Sequence, residues 1–285
     1  LSEAQAASLI VLAEARAGVR AHMSGLDEPF ELFKGFNEIF IVVGLVILYT
    51  GWVGVSGLSA LTALGTPSAG FAVYAAITMA VAGALAVYFT LKRRMVAPSI
   101  ALTLMFGAAA LQLGAALGWQ IGLNFQARAV FTAALATVSL LGWYAVFRIP
   151  FAMALVALGV FATAAAALVV RGASLPAPMD LFLLSAEGPF AVLTVVLGLA
   201  CLAVALAFDM SDPHRVTRRS ATGFWLHVIA APAIVNTVAL TLFTDEGRAA
   251  MLALLAFLGL MALLALVIDR RSFIVAGVGY VVALS

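Results

Sequence analysis

The residues with the most chemical potential lie in one apolar run: Gly223-Phe224-Trp225-Leu226-His227, then Ala230-Ala231-Pro232 and Asn236. Pro232 has no N–H and its ring crowds the preceding turn, so the carbonyl of Val228 is expected to lose its helical partner. In hydrocarbon such a carbonyl must be satisfied by a neighbour, a water or a side chain. An ionisable residue beside a broken helix is the usual form of a transport or proton-relay site. His227, Pro232 and Asn236 are therefore the candidate polar site. Spacing tempers this, because Asn236 lies on the face opposite His227 at about 100° per residue unless the proline kink rotates it. The plainer account is a neutral imidazole bonded between helices or reaching the interface. No second catalytic group is placed beside His227, so no catalytic residue is assigned.

Just before this run come Asp212-Pro213-His214, then Arg215, Arg218 and Arg219. Asp212 as N-cap with Pro213 in the first helical position reads as a helix start. The three arginines orient the chain by positive charge and are expected to meet anionic lipid headgroups, or an anion at the same mouth. Gln112 with Gly114 and Gly118 forms a small-residue pattern that lets two helix backbones approach, with Gln112 bonding across the contact. Asn37 and Glu38 read as an interfacial anchor. The three histidines, His22, His214 and His227, and the single Cys201 offer no metal-ligand spacing, no disulfide and no cofactor motif. No metal or cofactor is expected.

The elements that position these groups follow from composition. Of 285 residues 65% are hydrophobic and only 10% charged, against about 25% charged in a soluble domain. That excludes a soluble enzyme, a disordered chain and a nucleic-acid binder. Apolar runs at 36–57, 69–91, 99–119, 128–147, 151–170, 190–208, 223–243 and 249–268, and a ninth starting at 272, meet the length of about 20 residues that a span needs. They lack period-2 alternation, so the fold class is an all-α polytopic transmembrane bundle of about nine spans rather than a barrel. With the N-terminus placed on one side, that side carries 12 of the 15 basic residues and the other side carries Arg128, Arg171 and Arg248. The rule that basic loops stay inside then puts the N-terminus in the cytoplasm. Aromatic residues agree: Trp143, Tyr144, Trp225 and Tyr88 fall at inner span ends, and Tyr49, Trp52, Tyr74 and Trp119 at outer ends.

The domain reading is a cytoplasmic amphipathic segment over 1–35, helical from about residue 2 to 23, followed by a membrane domain over 36–285. The connection 171–189, with Asp180 as a cap, reads as an outer lid or interfacial helix. Ser285 falls inside an apolar run, and the membrane domain is expected to continue past it. Gly35-Phe36-Asn37-Glu38-Ile39-Phe40, Phe224-Trp225-Leu226-His227 with Ala230-Ala231-Pro232, and Asp269-Arg270-Arg271-Ser272 resemble an uncharacterised proteobacterial family of multi-pass inner-membrane proteins. The resemblance implies a multi-helix inner-membrane protein and carries no activity. Where that family often has His after Ile-Val in the seventh span, this chain has Asn236. Two functions follow as expectations. One is a transporter or channel-like protein for a small neutral or amphipathic solute. The other is a non-catalytic membrane subunit or lipid-interacting scaffold. The expected partners are the bilayer, anionic headgroups on the cytoplasmic face, and another membrane protein or a second copy of the chain, with no nucleic acid.

Overall fold

The computed structural model describes residues 36–63, 67–174, 177, 182–184, 188–215, 217–245, 247–268, 272 and 275–278. Among these the chain forms α1 (Phe36–Ala63), α2 (Pro67–Ala86), a π-helical turn (Val87–Lys92), α3 (Val96–Gln120), α4 (Phe125–Phe147), α5 (Pro150–Val170), α6 (Phe190–Met210), α7 (Arg218–Phe243) and α8 (Arg248–Ile268). All eight α-helices contain a segment long and apolar enough to cross a bilayer. The chain is therefore a multi-pass integral membrane protein with an all-α bundle fold. Helices satisfy every backbone group internally, which hydrocarbon demands. The amphipathic segment 1–35, Asp180 and most of the ninth apolar run lie outside the described residues; within that run 275–278 is helical.

Local chemistry explains the boundaries. Asn124 caps α4, its side chain accepting from the Ala127 N–H at 2.8 Å, which satisfies one of the donors left open at a helix start. Arg148 ends α4 in the left-handed region at φ 52°, and Pro150 opens α5 two residues later, where its missing N–H costs nothing. That tight turn makes α4 and α5 antiparallel neighbours. The start of α7 differs from the sequence expectation. Asp212 and Pro213 do not begin the helix; Thr217 caps it, accepting from the Arg219 N–H at 3.2 Å. Asp212 is instead buried and accepts from the Thr217 N–H and hydroxyl at 2.8 and 2.7 Å. The carboxylate thus holds the turn that precedes the cap.

The helices alternate in direction. One end of the bundle carries Lys92, Arg93, Arg94, Arg148, Arg215, Arg218 and Arg219, and the opposite end Arg128, Arg171 and Arg248. The first is called the basic end below. One core joins α1 to α4 and the start of α5 through Leu45, Leu102, Met105, Trp143 and Phe147. Two further clusters centre on α7, which packs on α5 and α6 through Leu226 and Ala230 and on α8 through Val235 and Leu254. Half of the apolar stretch of α7 is buried against 11% for α1, so α7 is the most enclosed helix.

Two aromatic residues expected at the interface belong to the interior. Trp143 is buried, stacks on Phe106 at 4.3 Å and donates to the Thr103 hydroxyl at 3.0 Å. Tyr74 is buried and stacks on Trp52 at 5.7 Å. The Trp143 N–H has its partner inside, which suits an amphipathic ring to a buried site; the Tyr74 hydroxyl is buried without a hydrogen bond among the described residues, and that ring is held by its stack on Trp52. Glu38 also differs from a simple anchor: it is buried and accepts from the Ala97 N–H at 3.1 Å. The first helix thus supplies an anionic cap to the positive end of α3. Glu38→Ala should lower stability by about 1 kcal/mol, read as an earlier thermal midpoint in detergent, with Glu38→Gln intermediate. Equal effects of the two would show that charge is all that counts.

Candidate functional site

An ionisable pair inside the bundle joins α6 to α7. His227 is fully buried, and its Nε2 lies 2.8 Å from Oδ2 of Asp209, whose side chain is 17% exposed. Gly223, one turn before His227 on the same face, makes this possible. A Cβ there would fall 2.5 Å from Asp209 Oδ1 and 3.2 Å from the Ala205 carbonyl oxygen. The carboxylate therefore occupies the space that a side chain at 223 would fill. Eight residues before Asp209 on α6, the buried Cys201 thiol donates to the Leu226 carbonyl at 3.4 Å.

This contact sets a carboxylate beside His227, where the sequence placed no second group. Asp209 closes α6 and His227 lies in the third turn of α7, because α7 begins well beyond the end of α6. A visible signal was Gly223 four residues before His227, a gap on the face that bears the imidazole. What remained hidden was the register between the helices.

The other members of the sequence site are not gathered here. Pro232 points outward from a helix that runs unbroken from Arg218 to Phe243. Asn236 is half-buried and about 13 Å further along the axis from His227. The three residues thus do not converge on one cavity. In α3, Gly114 and Gly118 face α4: a Cβ at Gly114 would stand 2.8 Å from Thr132 Cα, and one at Gly118 would stand 2.9 Å from Arg128 Cγ. Gln112 is half-buried and makes no side-chain hydrogen bond among the described residues.

Comparison of the chain with protein-family models, with curated proteins and with solved structures gives no match. Function has to be read from the molecule's own chemistry.

A concavity lies at the basic end, where the last turns of α4 and α6 meet the first turn of α7. It is an open cleft of about 920 Å³. Arg148, Arg218 and Arg219 line it, with Tyr144 and Thr217. Its α6 wall is Ala203, Val204, Ala207 and Phe208. Arg218 is anchored, donating to the Phe147 carbonyl at 3.4 Å, and the Tyr144 hydroxyl lies 3.4 Å from that of Thr222. These contacts tie α4 to α7 and fix the mouth. Arg215 is separate from the other two arginines of its segment. Its backbone is left-handed at φ 52°, and its guanidinium donates to the Ile268 carbonyl at 2.9 Å. There it caps the end of α8, where helix carbonyls lack partners. A second, apolar cavity of about 40 Å³ between α1, α2 and α3 is too small for more than a water-sized guest. Among the described residues no three His, Cys, Asp or Glu side chains converge as a metal ion would need.

Proposed function

We propose that the protein is a non-catalytic, lipid-interacting subunit or scaffold of the bacterial inner membrane, with its basic end in the cytoplasm. The observation that carries this reading is the cleft at the basic end. It sets three guanidiniums above an apolar helix face and opens sideways, where the exposed Ala203, Val204 and Ala207 continue the outer surface of the bundle. Guanidiniums at the headgroup level and hydrocarbon beneath them complement the inner leaflet of an anionic membrane. The excess of Lys and Arg on that end supports the orientation, and the resemblance to proteobacterial inner-membrane proteins supports the location. A membrane-protein partner or a second copy of the chain fits the same reading.

Transport of a small neutral or amphipathic solute is the second reading, favoured by the size of the cleft, which would then be a vestibule. The two separate on flux. Protein reconstituted in liposomes should show no solute uptake above empty vesicles, and co-purification from membranes should retain anionic lipid or a membrane partner. Uptake of a neutral solute that His227→Ala abolishes would overturn the scaffold reading in favour of transport.

A further inference from the structure

The cleft has an internal order. At its rim stand Arg148, Arg218 and Arg219, all exposed. Among the described residues no carboxylate lines the cleft, and none of the three guanidiniums pairs with one. Arg218 commits a single N–H to the Phe147 carbonyl, leaving most of its five donors for another acceptor. The hydroxyls of Tyr144, Ser211 and Thr217 line the same mouth, Ser211 donating to the Phe208 carbonyl and Thr217 to Asp212 Oδ2. Below the rim the α6 wall is hydrocarbon, from Phe208 back to Ala203. Ala203 lies seven residues before the end of α6, so the apolar wall reaches about 10 Å below the rim.

Cationic forks at the mouth with hydrocarbon below are the groups that would meet a phosphate and an acyl chain in turn. Arginine forks bind phosphate oxygens through paired, charge-assisted hydrogen bonds. A free phosphate would use the rim and leave the apolar wall idle. A lipid without net charge would leave three guanidiniums without a counter-charge. Resting on the lipid-interacting reading above, we infer that this cleft is a specific site for one anionic phospholipid. Its phosphate is held by Arg148, Arg218 and Arg219, and one acyl chain lies along Ala203, Val204 and Ala207.

The test is native mass spectrometry of the full chain, purified in detergent and titrated with phosphatidylglycerol or phosphatidylcholine. The wild type should retain one phosphatidylglycerol in preference to phosphatidylcholine. Arg148→Gln with Arg219→Gln should reduce its retention about tenfold, the effect of losing roughly one charge-assisted contact. That pair leaves the Arg218 tie to Phe147 in place, so the α4–α7 junction survives. Ala207→Trp fills the slot without changing charge and should also release the lipid. Arg171→Gln with Arg248→Gln makes the same charge change at the opposite end and should release none. Equal losses in the two arginine pairs, an inert Ala207→Trp, or displacement of the lipid by inorganic phosphate would each overturn the site. Anionic lipid retained alike by all variants refutes the site and leaves the lipid-interacting reading standing. A wild type that retains no anionic lipid refutes both.

Discussion

Asp209→Ala is expected to be the most damaging single charge removal at the basic end, costing about 2–3 kcal/mol. The acid is only 17% exposed and its partner His227 is fully buried. Truncation therefore removes the carboxylate oxygen that lies 2.8 Å from the buried imidazole Nε2. Asp209→Asn keeps an acceptor oxygen at the same place and should recover much of the loss. Gly223→Ala attacks the same contact from the other side, since its Cβ would fall 2.5 Å from Asp209 Oδ1. Moving the carboxylate away from the methyl group also moves it away from His227. The two substitutions should therefore be non-additive: Gly223→Ala should cost less when residue 209 is already Ala. Thermal unfolding of the four proteins in one detergent forms the cycle. Strict additivity would mean that Gly223 packs against the Ala205 carbonyl alone and has no part in placing the acid.

The second large effect concerns the α3–α4 contact, where two glycines one turn apart should behave differently. At Gly114 the obstacle is backbone, with Thr132 Cα at 2.8 Å and its carbonyl oxygen at 3.2 Å. An alanine there can be accommodated only if the helices separate, and overpacking of this kind costs about 1–3 kcal/mol. At Gly118 the nearest atom is Cγ of Arg128 at 2.9 Å, part of a flexible side chain. That arm also lays its guanidinium over Trp119, 4.6 Å from the ring centroid. It can swing aside at the loss of a modest cation–π contact. Gly114→Ala should therefore lower the thermal midpoint clearly more than Gly118→Ala. Equal costs would show that the helices yield as readily as an arginine side chain.

These two sites mark what could be read in advance. The spans were legible because hydrocarbon imposes a length, and a run of some 20 apolar residues meets it with little ambiguity. The glycine pair was legible because a four-residue spacing places both on one face. Partners were not. Helices that are apolar all round carry no stripe to say which face turns inward, so Asp209 and His227, on separate spans, gave no sign of their register. Asp212 was misplaced for a related reason. Asp-Pro is a strong local start signal, but Asp212 is instead used by the turn it caps, and Thr217 starts the helix. Trp143 illustrates a third limit: its position near a span end suggested the interface, while a hydroxyl on a neighbouring helix, Thr103, gave its N–H a partner inside.

The length of α7 has a consequence for the membrane itself. It has 26 residues against 21 in its partner α6, a difference of about 7 Å. With the Asp209–His227 contact fixing the two helices together, that excess projects at the basic end and carries Arg218 and Arg219 outward. The apolar part of α7, 223–243, matches a hydrocarbon core near 30 Å as α6 does, so the polar turn 218–222 stands in the headgroup layer. Changes in lipid chain length should then move the arginine rim and the apolar wall on α6 together relative to the phosphate layer. Acyl-chain length is thereby expected to join headgroup charge as a variable that changes lipid retention at the basic end.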